Sequence, residues 1–340
     1  MSGLIMVEPI TARQFWVRTP GCGEIRQAVL SPRQDDDVLV RSLYSGISRG
    51  TESLVFKGEV PSSEYQTMRA PFQEGEFPGP VKYGYSSVGE VLEGPERLVG
   101  RTVFCLHPHQ DLFAVPATAV TLLPDRLPAG RAVLAANMET AINAFWDARP
   151  LVGDRIVVVG AGVVGLLIGW LCRHTAGAEV NVIDVNPARE QVARELALPF
   201  LVESPAEANA DLVFHASGRP EGLRCALAVA GVEATIVEVS WYGSRTVPLQ
   251  LGEAFHARRL TIKSSQVGLL SPLQAPRWSH ARRMSLALNL LQDERLDVLI
   301  SGESPFGGLP DVMARLSQEP GDTLCHRIRY REGASDPCTA

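Results

Sequence analysis

Apolar and polar positions alternate in short runs through the first third of the chain. Asp37-Val38-Leu39-Val40-Arg41-Ser42-Leu43 and Ser87-Val88-Gly89-Glu90-Val91-Leu92 have the two-residue period of half-buried strands. Clusters such as Phe77-Pro78-Gly79-Pro80 punctuate them. Short strands bounded by turn signals predict a compact barrel-like unit. Pro124, Pro128 and Gly130 mark a loop, and a helical pattern runs from Met138 to Trp146. The texture then changes. Arg155 to Val159 is a continuous apolar strand, followed by a Gly-rich turn and a helix through His174. Val180 to Ile183, Asp211 to Phe214, Ala234 to Val239 and Leu260 to Lys263 read as further strands. Helices are predicted over Ala188 to Leu196 and after Pro220. Strands alternating with helices pair in parallel and build a doubly wound α/β sheet. The tail carries a helix over Arg282 to Gln292 and a strand over Cys325 to Tyr330.

Composition narrows the class. At 340 residues the chain exceeds what one core usually serves, so two domains are expected. Hydrophobic residues make up 45% and charged residues 21%, the balance of a globular protein. A net charge of -6 gives no attraction for nucleic acid or an anionic membrane, and turns attention to small-molecule substrates. Met1 to Pro9 lacks the basic-then-apolar pattern of a secretory leader. The apolar stretch Ile156 to Trp170 is too short and too rich in glycine for a membrane span. The six cysteines are scattered without a Cys-x-x-Cys pair, which argues against a disulfide framework or a zinc loop and fits a reducing cytoplasm.

The sharpest local signal is Val157-Val158-Val159-Gly160-Ala161-Gly162-Val163-Val164-Gly165. This G-x-G-x-x-G closes a strand and opens a helix, the context a dinucleotide fingerprint requires. Gly160 permits the tight turn, Gly162 admits a pyrophosphate, and Gly165 lets helix and strand pack closely. The N–H groups of Val163, Val164 and Gly165 then point at the phosphates. Asp184 ends the next strand at the spacing where a carboxylate meets the adenosine ribose hydroxyls. That carboxylate repels a 2′-phosphate, so NAD is favoured over NADP, although Arg189 nearby keeps NADP open. A ligand-free Gly-rich turn is the competing explanation. An FAD site is disfavoured because the fingerprint stands mid-chain.

The segments Tyr44-Ser45-Gly46-Ile47-Ser48-Arg49-Gly50-Thr51-Glu52 and Gly84-Tyr85-Ser86-Ser87-Val88-Gly89, with the Gly160 turn, resemble the medium-chain dehydrogenase/reductase superfamily. Within it the chain is similar to a branch with bacteriochlorophyllide dehydrogenase and bacterial alcohol-dehydrogenase-like proteins. The resemblance implies a GroES-like β-rich catalytic domain over 1–149, a Rossmann NAD-binding domain over 150–267, a return segment over 268–340, and a homodimer. It also implies a lost metal. Ser48, Tyr85 and Ser86 stand where the family's zinc enzymes carry Cys, His and Glu, and the third ligand position falls near Ala136 or Asn137. None supplies the thiolate or imidazole that zinc prefers, so no zinc is expected.

Without a Lewis acid, a hydrogen-bond donor must stabilise charge on the substrate oxygen. Tyr85 is the first candidate; the alternative is a core tyrosine filling the vacated site. The resemblance places Arg49 at the cofactor pyrophosphate, against a surface salt bridge. Thr51 is expected near the nicotinamide ribose as a hydroxyl relay, Ser48 among the catalytic residues, and Glu52 as a loop anchor or proton carrier. His107 and His109 form a His-x-His, read as two loop histidines since no third ligand is evident. Phe214-His215-Ala216-Ser217-Gly218 resembles the family's cofactor-lining turn, so Ser217 and Gly218 are expected to touch the dinucleotide, with His215 a packed strand-end residue. Ser240-Trp241-Tyr242-Gly243 follows a strand at the end that faces the nicotinamide: Ser240 lines the cofactor, and Trp241 and Tyr242 wall the substrate pocket or simply pack. Ser264-Ser265-Gln266-Val267 falls at the last strand's end, again near the nicotinamide.

These readings converge on an NAD(H)-dependent oxidoreductase that interconverts an alcohol and a carbonyl without zinc. Two alternatives stay open: reduction of an activated alkene, and a non-catalytic dinucleotide-binding sensor or structural protein.

Overall fold

The computed structural model describes residues 10–330 apart from 206 and 208. The leader reading at Met1 to Pro9 and the cysteine at 338 lie outside the described residues. The other five cysteines are free thiols.

In chain order the first unit comprises β1 (Thr11–Thr19), β2 (Cys22–Val29), β3 (Asp37–Ile47), α1 (Arg49–Phe56), β4 (Glu74–Gly75), β5 (Val81–Lys82), β6 (Ser87–Glu93), β7 (Thr102–Cys105), β8 (Leu112–Pro116) and β9 (Val120–Leu122). Two helices, α2 (Ala129–Ala132) and α3 (Ala135–Ala148), lead out of it. The second unit is β10 (Arg155–Val159), α4 (Val163–Arg173), β11 (Glu179–Ile183), α5 (Arg189–Glu195), β12 (Phe200–Leu201), β13 (Ala210–His215), α6 (Pro220–Val229), β14 (Ala230–Glu238) and β15 (Thr261–Ser264). The chain then returns through α7 (His280–Leu290), β16 (Ile300–Pro305), α8 (Leu309–Gln318) and β17 (Cys325–Arg329).

The second unit is a six-stranded sheet in the order β12-β11-β10-β13-β14-β15, with every pairing parallel. The two halves wind outward from β10, so the switch in strand order falls between β10 and β13, where open α/β sheets bind ligands. Ile156 to Val159 of β10 are buried, which explains why this strand shows no alternation. Each aliphatic side chain removed from water there contributes about 1.5–3 kcal/mol. Leu166, Leu167, Ile168 and Trp170 of α4 join the same core as α3 and α7.

Around the first unit lie two assemblies, antiparallel throughout except for the parallel β16–β17 pair. One is β2-β1-β5-β4; the other runs β16-β17-β3-β6-β7-β9, with β8 also paired to β3. β17 pairs antiparallel with β3, so the C-terminal segment completes the sheet begun near the N-terminus. Val38, Val40, Val91, Val103, Phe113 and Val115 fill one side of it. Among the described residues no helix is long and apolar enough to cross a membrane.

The predicted strands and helices recur with ends shifted by a few residues, but three features depart from expectation. Gly130 sits in the short helix α2 and not in a loop. The helices α1 and α8 were not anticipated. α1 is only eight residues and carries Gly50, while α8 opens on Pro310 after two glycines. Both are carried by tertiary packing: Phe56, Val312, Met313 and Leu316 bury against the same core as Phe15 and Ile328.

Candidate functional site

The glycine turn has the shape its spacing predicts. Gly160 adopts φ +110°, a conformation that side chains disfavour, and a Cβ there would lie 2.6 Å from the Ser217 nitrogen. Gly162 caps α4, and nothing lies within 4 Å of where its Cβ would point, which leaves room for a ligand. A Cβ on Gly165 would come within 1.9 Å of the Gly160 carbonyl oxygen, so α4 meets the turn at a distance only glycine allows. Val163, Val164 and Gly165 form the first turn of α4, whose N–H groups have no acceptor within the helix.

Asp184 directly follows β11. Its carboxylate accepts from the Ala161 N–H at 2.7 Å and from the Asn186 N–H at 2.9 Å. The acid therefore braces the glycine turn itself, and a carboxylate's remaining lone pairs stay available for ribose hydroxyls. Arg49 and Arg189 converge from different units on one loop. Arg49 Nη1 donates to the Thr323 carbonyl at 2.6 Å; Arg189 Nη1 donates to the Asp322 carbonyl at 2.6 Å. Burial and the neighbouring Arg189 charge lower the Arg49 pKa, with Asp184 opposing. This is a cationic cluster near Asp184 and the glycine turn, not the surface salt bridge that was the alternative for Arg49.

Ser48, Thr51 and Tyr85 come together. Burial pushes the Tyr85 phenol up to about 12, the Glu52 charge adds to this, and hydrogen bonding with Ser48 and Thr51 opposes it. The phenol is a proton donor at any physiological pH. Glu52 is buried at 3% exposure; it accepts the Ser48 N–H at 2.8 Å on one oxygen and meets His109 Nε2 at 2.8 Å on the other. His109 continues to Ser45 Oγ at 2.7 Å, and Ser45 to the Tyr330 hydroxyl at 2.9 Å. Glu52 thus anchors the start of α1. Its return bond to the Ser48 N–H satisfies a donor at the helix N-terminus, from a position one residue beyond the capping-box spacing.

From the sequence the histidine pair reads as two loop residues. His107 and His109 do lie in a loop, yet both are buried and do different things. His107 stacks on Phe113 at 3.9 Å between ring centroids, and burial drops its pKa to about 3. His109 is the polar partner of Glu52. Ser86 Oγ donates to the Val133 carbonyl at 2.5 Å, a structural bond, and Ala136 is buried carbon. Among the described residues, no three His, Cys, Asp or Glu side chains gather in a way that suits a metal ion. The donor set at Ser48, Tyr85 and Ser86 does not fit zinc.

The carboxyl ends of β13 and β14 carry a second polar network. His215, fully buried, contacts Glu238 through Nδ1 at 2.8 Å and Ser217 Oγ through Nε2 at 2.6 Å. Ser240 donates its N–H to Glu238 at 2.8 Å, and its hydroxyl accepts the Gly218 N–H at 3.0 Å. The Tyr242 hydroxyl donates to Glu238 at 3.1 Å. Ser217, Gly218, Ser240 and Tyr242 are therefore one connected unit. Trp241 turns the other way and packs, with Tyr85, on the core containing Phe56 and Tyr83. Beyond β15, the Ser265 hydroxyl donates to Asp147, and the Val267 carbonyl accepts from buried Arg283.

A barrel-like antiparallel unit joined to a Rossmann sheet, with the chain returning to complete the former, is the architecture of medium-chain dehydrogenases. Comparison with known proteins finds the same fold in solved dehydrogenase structures and a partial sequence match to a dehydrogenase. The chain is 31% identical over 131 residues to L-threonine 3-dehydrogenase of Aeromonas salmonicida, a match covering 38% of this chain and 37% of that relative. The matched part thus spans little more than a third of that curated relative. Its fold matches L-idonate 5-dehydrogenase of Escherichia coli with a TM-score of 0.77 at 16% identity, covering 94% of this chain and 99% of the other. An Escherichia coli alcohol dehydrogenase solved with NADH gives a TM-score of 0.73 at 17% identity, with coverage of 94% and 99%. No family profile matches the chain.

Proposed function

We propose that the chain is an NAD(H)-dependent oxidoreductase that interconverts an alcohol and a carbonyl on a small molecule without catalytic zinc. The observation that carries this reading is the Asp184 carboxylate braced on the Ala161 N–H beside a turn that only glycines can form. NAD, when bound, supplies or accepts the hydride. The residues toward it are Gly160, Gly162 and the first turn of α4 for the phosphates, Asp184 for the ribose, and Arg49 for charge balance. Ser217, Gly218 and Ser240 border its far half. Tyr85 is placed to donate to the substrate oxygen where the family's metal would otherwise act, with Ser48 and Thr51 orienting the phenol. Glu52 positions α1, and Trp241 walls the pocket.

Tyr85 in place of metal ligands also favours a second reading, reduction of an activated alkene, which needs a proton donor and no metal. Titration with NADH, followed by quenching of tryptophan fluorescence, tests the cofactor. Loss of nicotinamide absorbance against panels of ketones, aldehydes and enones separates the two chemistries. Binding without turnover on any panel supports a sensor instead, and no NADH binding defeats the dehydrogenase reading. One zinc per chain surviving chelator dialysis would overturn the zinc-free part. A cytoplasmic homodimer completes the proposal, and sedimentation equilibrium checks the stoichiometry.

A further inference from the structure

The Rossmann sheet divides the expected cofactor by strand. Asp184 follows β11, the glycine turn follows β10, and Ser217 and Ser240 follow β13 and β14, in that spatial order. A dinucleotide with its adenosine ribose at Asp184 and its pyrophosphate at the turn must carry its nicotinamide half over β13 and β14. Under that edge lies a polar chain that packing alone does not require. A buried imidazole and a carboxylate cost desolvation that a leucine would avoid.

The hydrogen bonds fix which atoms carry protons. His215 Nδ1 lies 2.9 and 2.8 Å from the two Glu238 oxygens. A carboxylate only accepts, so Nδ1 bears the proton and Nε2 is the bare acceptor. Ser217 Oγ accepts the Arg219 N–H at 3.2 Å and lies 2.6 Å from His215 Nε2, where, with the ring neutral and Nδ1 protonated, the hydroxyl is the donor. A hydroxyl donating to an imidazole whose far nitrogen is held by a carboxylate is the arrangement of an activated serine–histidine base. The Tyr242 hydroxyl, 3.3 Å from Nδ1 and half-buried, is the outward end of the chain. Other charge facing this group comes from Arg245, which acts on Tyr242.

We propose that Ser217, His215 and Glu238 form the proton relay of the hydride-transfer site, with His215 Nε2 as the proton acceptor; this rests on the dehydrogenase reading above. In alcohol oxidation the C–H bond breaks and its electron pair leaves as hydride, for which the cofactor is the acceptor. The substrate O–H proton passes to Ser217 Oγ as the Ser217 proton moves to His215 Nε2, and the C=O bond forms. The resulting imidazolium is offset by Glu238. Reduction runs the same transfers backward. Ser217 is the residue at the reacting edge; His215 acts through it, and Glu238 is a positioning residue that sets the tautomer.

The first test needs no substrate. In the full chain labelled with 15N-histidine, His215 is identified by the resonances lost in His215→Gln. At neutral pH it should show one pyrrole-type nitrogen, Nδ1, and one pyridine-type nitrogen, Nε2, and Ser217→Ala should shift the Nε2 resonance. The opposite tautomer, or a doubly protonated ring, overturns the relay. The second test uses the substrate found by the panel screen. At saturating NADH, Ser217→Ala should slow turnover by about 100-fold or more, the usual contribution of a positioned base. Wild-type turnover in that variant overturns the relay and leaves the dehydrogenase reading standing. Failure of the wild-type protein to bind NADH overturns that reading itself, and appears in the titration before any variant is made.

Discussion

Replacing Arg283 with methionine should cost about 3–5 kcal/mol, the penalty for removing one member of a buried ion pair. Arg283 is 2% exposed at its side chain and Glu139 5%. The guanidinium donates to Glu139 Oε1 at 3.0 Å, to Asn143 Oδ1 at 2.6 Å and to the Val267 carbonyl at 2.7 Å. Methionine fills the stem's volume but leaves three acceptors without that donor. Asn143 Oδ1 keeps a weak bond from the Ser271 N–H at 3.3 Å; Glu139 keeps nothing comparable. The loss should grow with pH. Burial already raises the Glu139 pKa, with Arg283 opposing, and removing Arg283 raises it further. A carboxyl whose folded pKa exceeds its unfolded value, about 4.3, stabilises the fold fully below that value and loses the contribution as pH rises through the folded pKa. Urea unfolding followed by circular dichroism at about pH 5 and about pH 8 should therefore show the larger deficit at the higher pH. Adding Glu139→Gln to Arg283→Met removes the stranded charge and should recover most of the loss. NADH affinity should fall as well, because Val267 lies just beyond β15. A deficit below about 1 kcal/mol, one equal at both pH values, or no recovery in the double variant would refute the reasoning.

Gly165→Ala drives a methyl into the Gly160 carbonyl oxygen, so it should destabilise by about 1–3 kcal/mol and abolish NADH binding, read by thermal melting and fluorescence titration. Asp184→Ala removes a charge-assisted bond to the turn and another to the Asn186 N–H, and should weaken NADH at least about tenfold while relaxing discrimination against NADPH. Equal affinity for the two cofactors before the change would show that Asp184 does not select. Tyr85→Phe should preserve NADH affinity and slow turnover by about 100-fold, as for loss of one donor to a developing oxyanion. Since the phenol's pKa is pushed up to about 12, wild-type activity should show no loss of the Tyr85 proton as pH rises toward 10.

The cofactor half of the site was legible because it is local. Strand, turn, helix and acid fall between Arg155 and Asp184, and each glycine answers a steric demand that can be stated before the fold is known. Hydrophobic period likewise exposed the parallel strands, since burial on both faces removes alternation. α1 escaped because an eight-residue helix carrying Gly50 has little intrinsic tendency to form. The polar networks were beyond reach for a different reason. His109 meets Glu52 across 57 residues, and Ser45 meets Tyr330 across 285. Glu238 reaches His215 only because β13 and β14 lie side by side in the register that sets those two residues opposite each other. Local pattern determined the class of fold and the shape of the glycine turn. Sheet register and the return of β17 to β3 decided which buried acids and bases became partners, because a hydrogen bond depends on the final distance between side chains and not on their spacing along the chain.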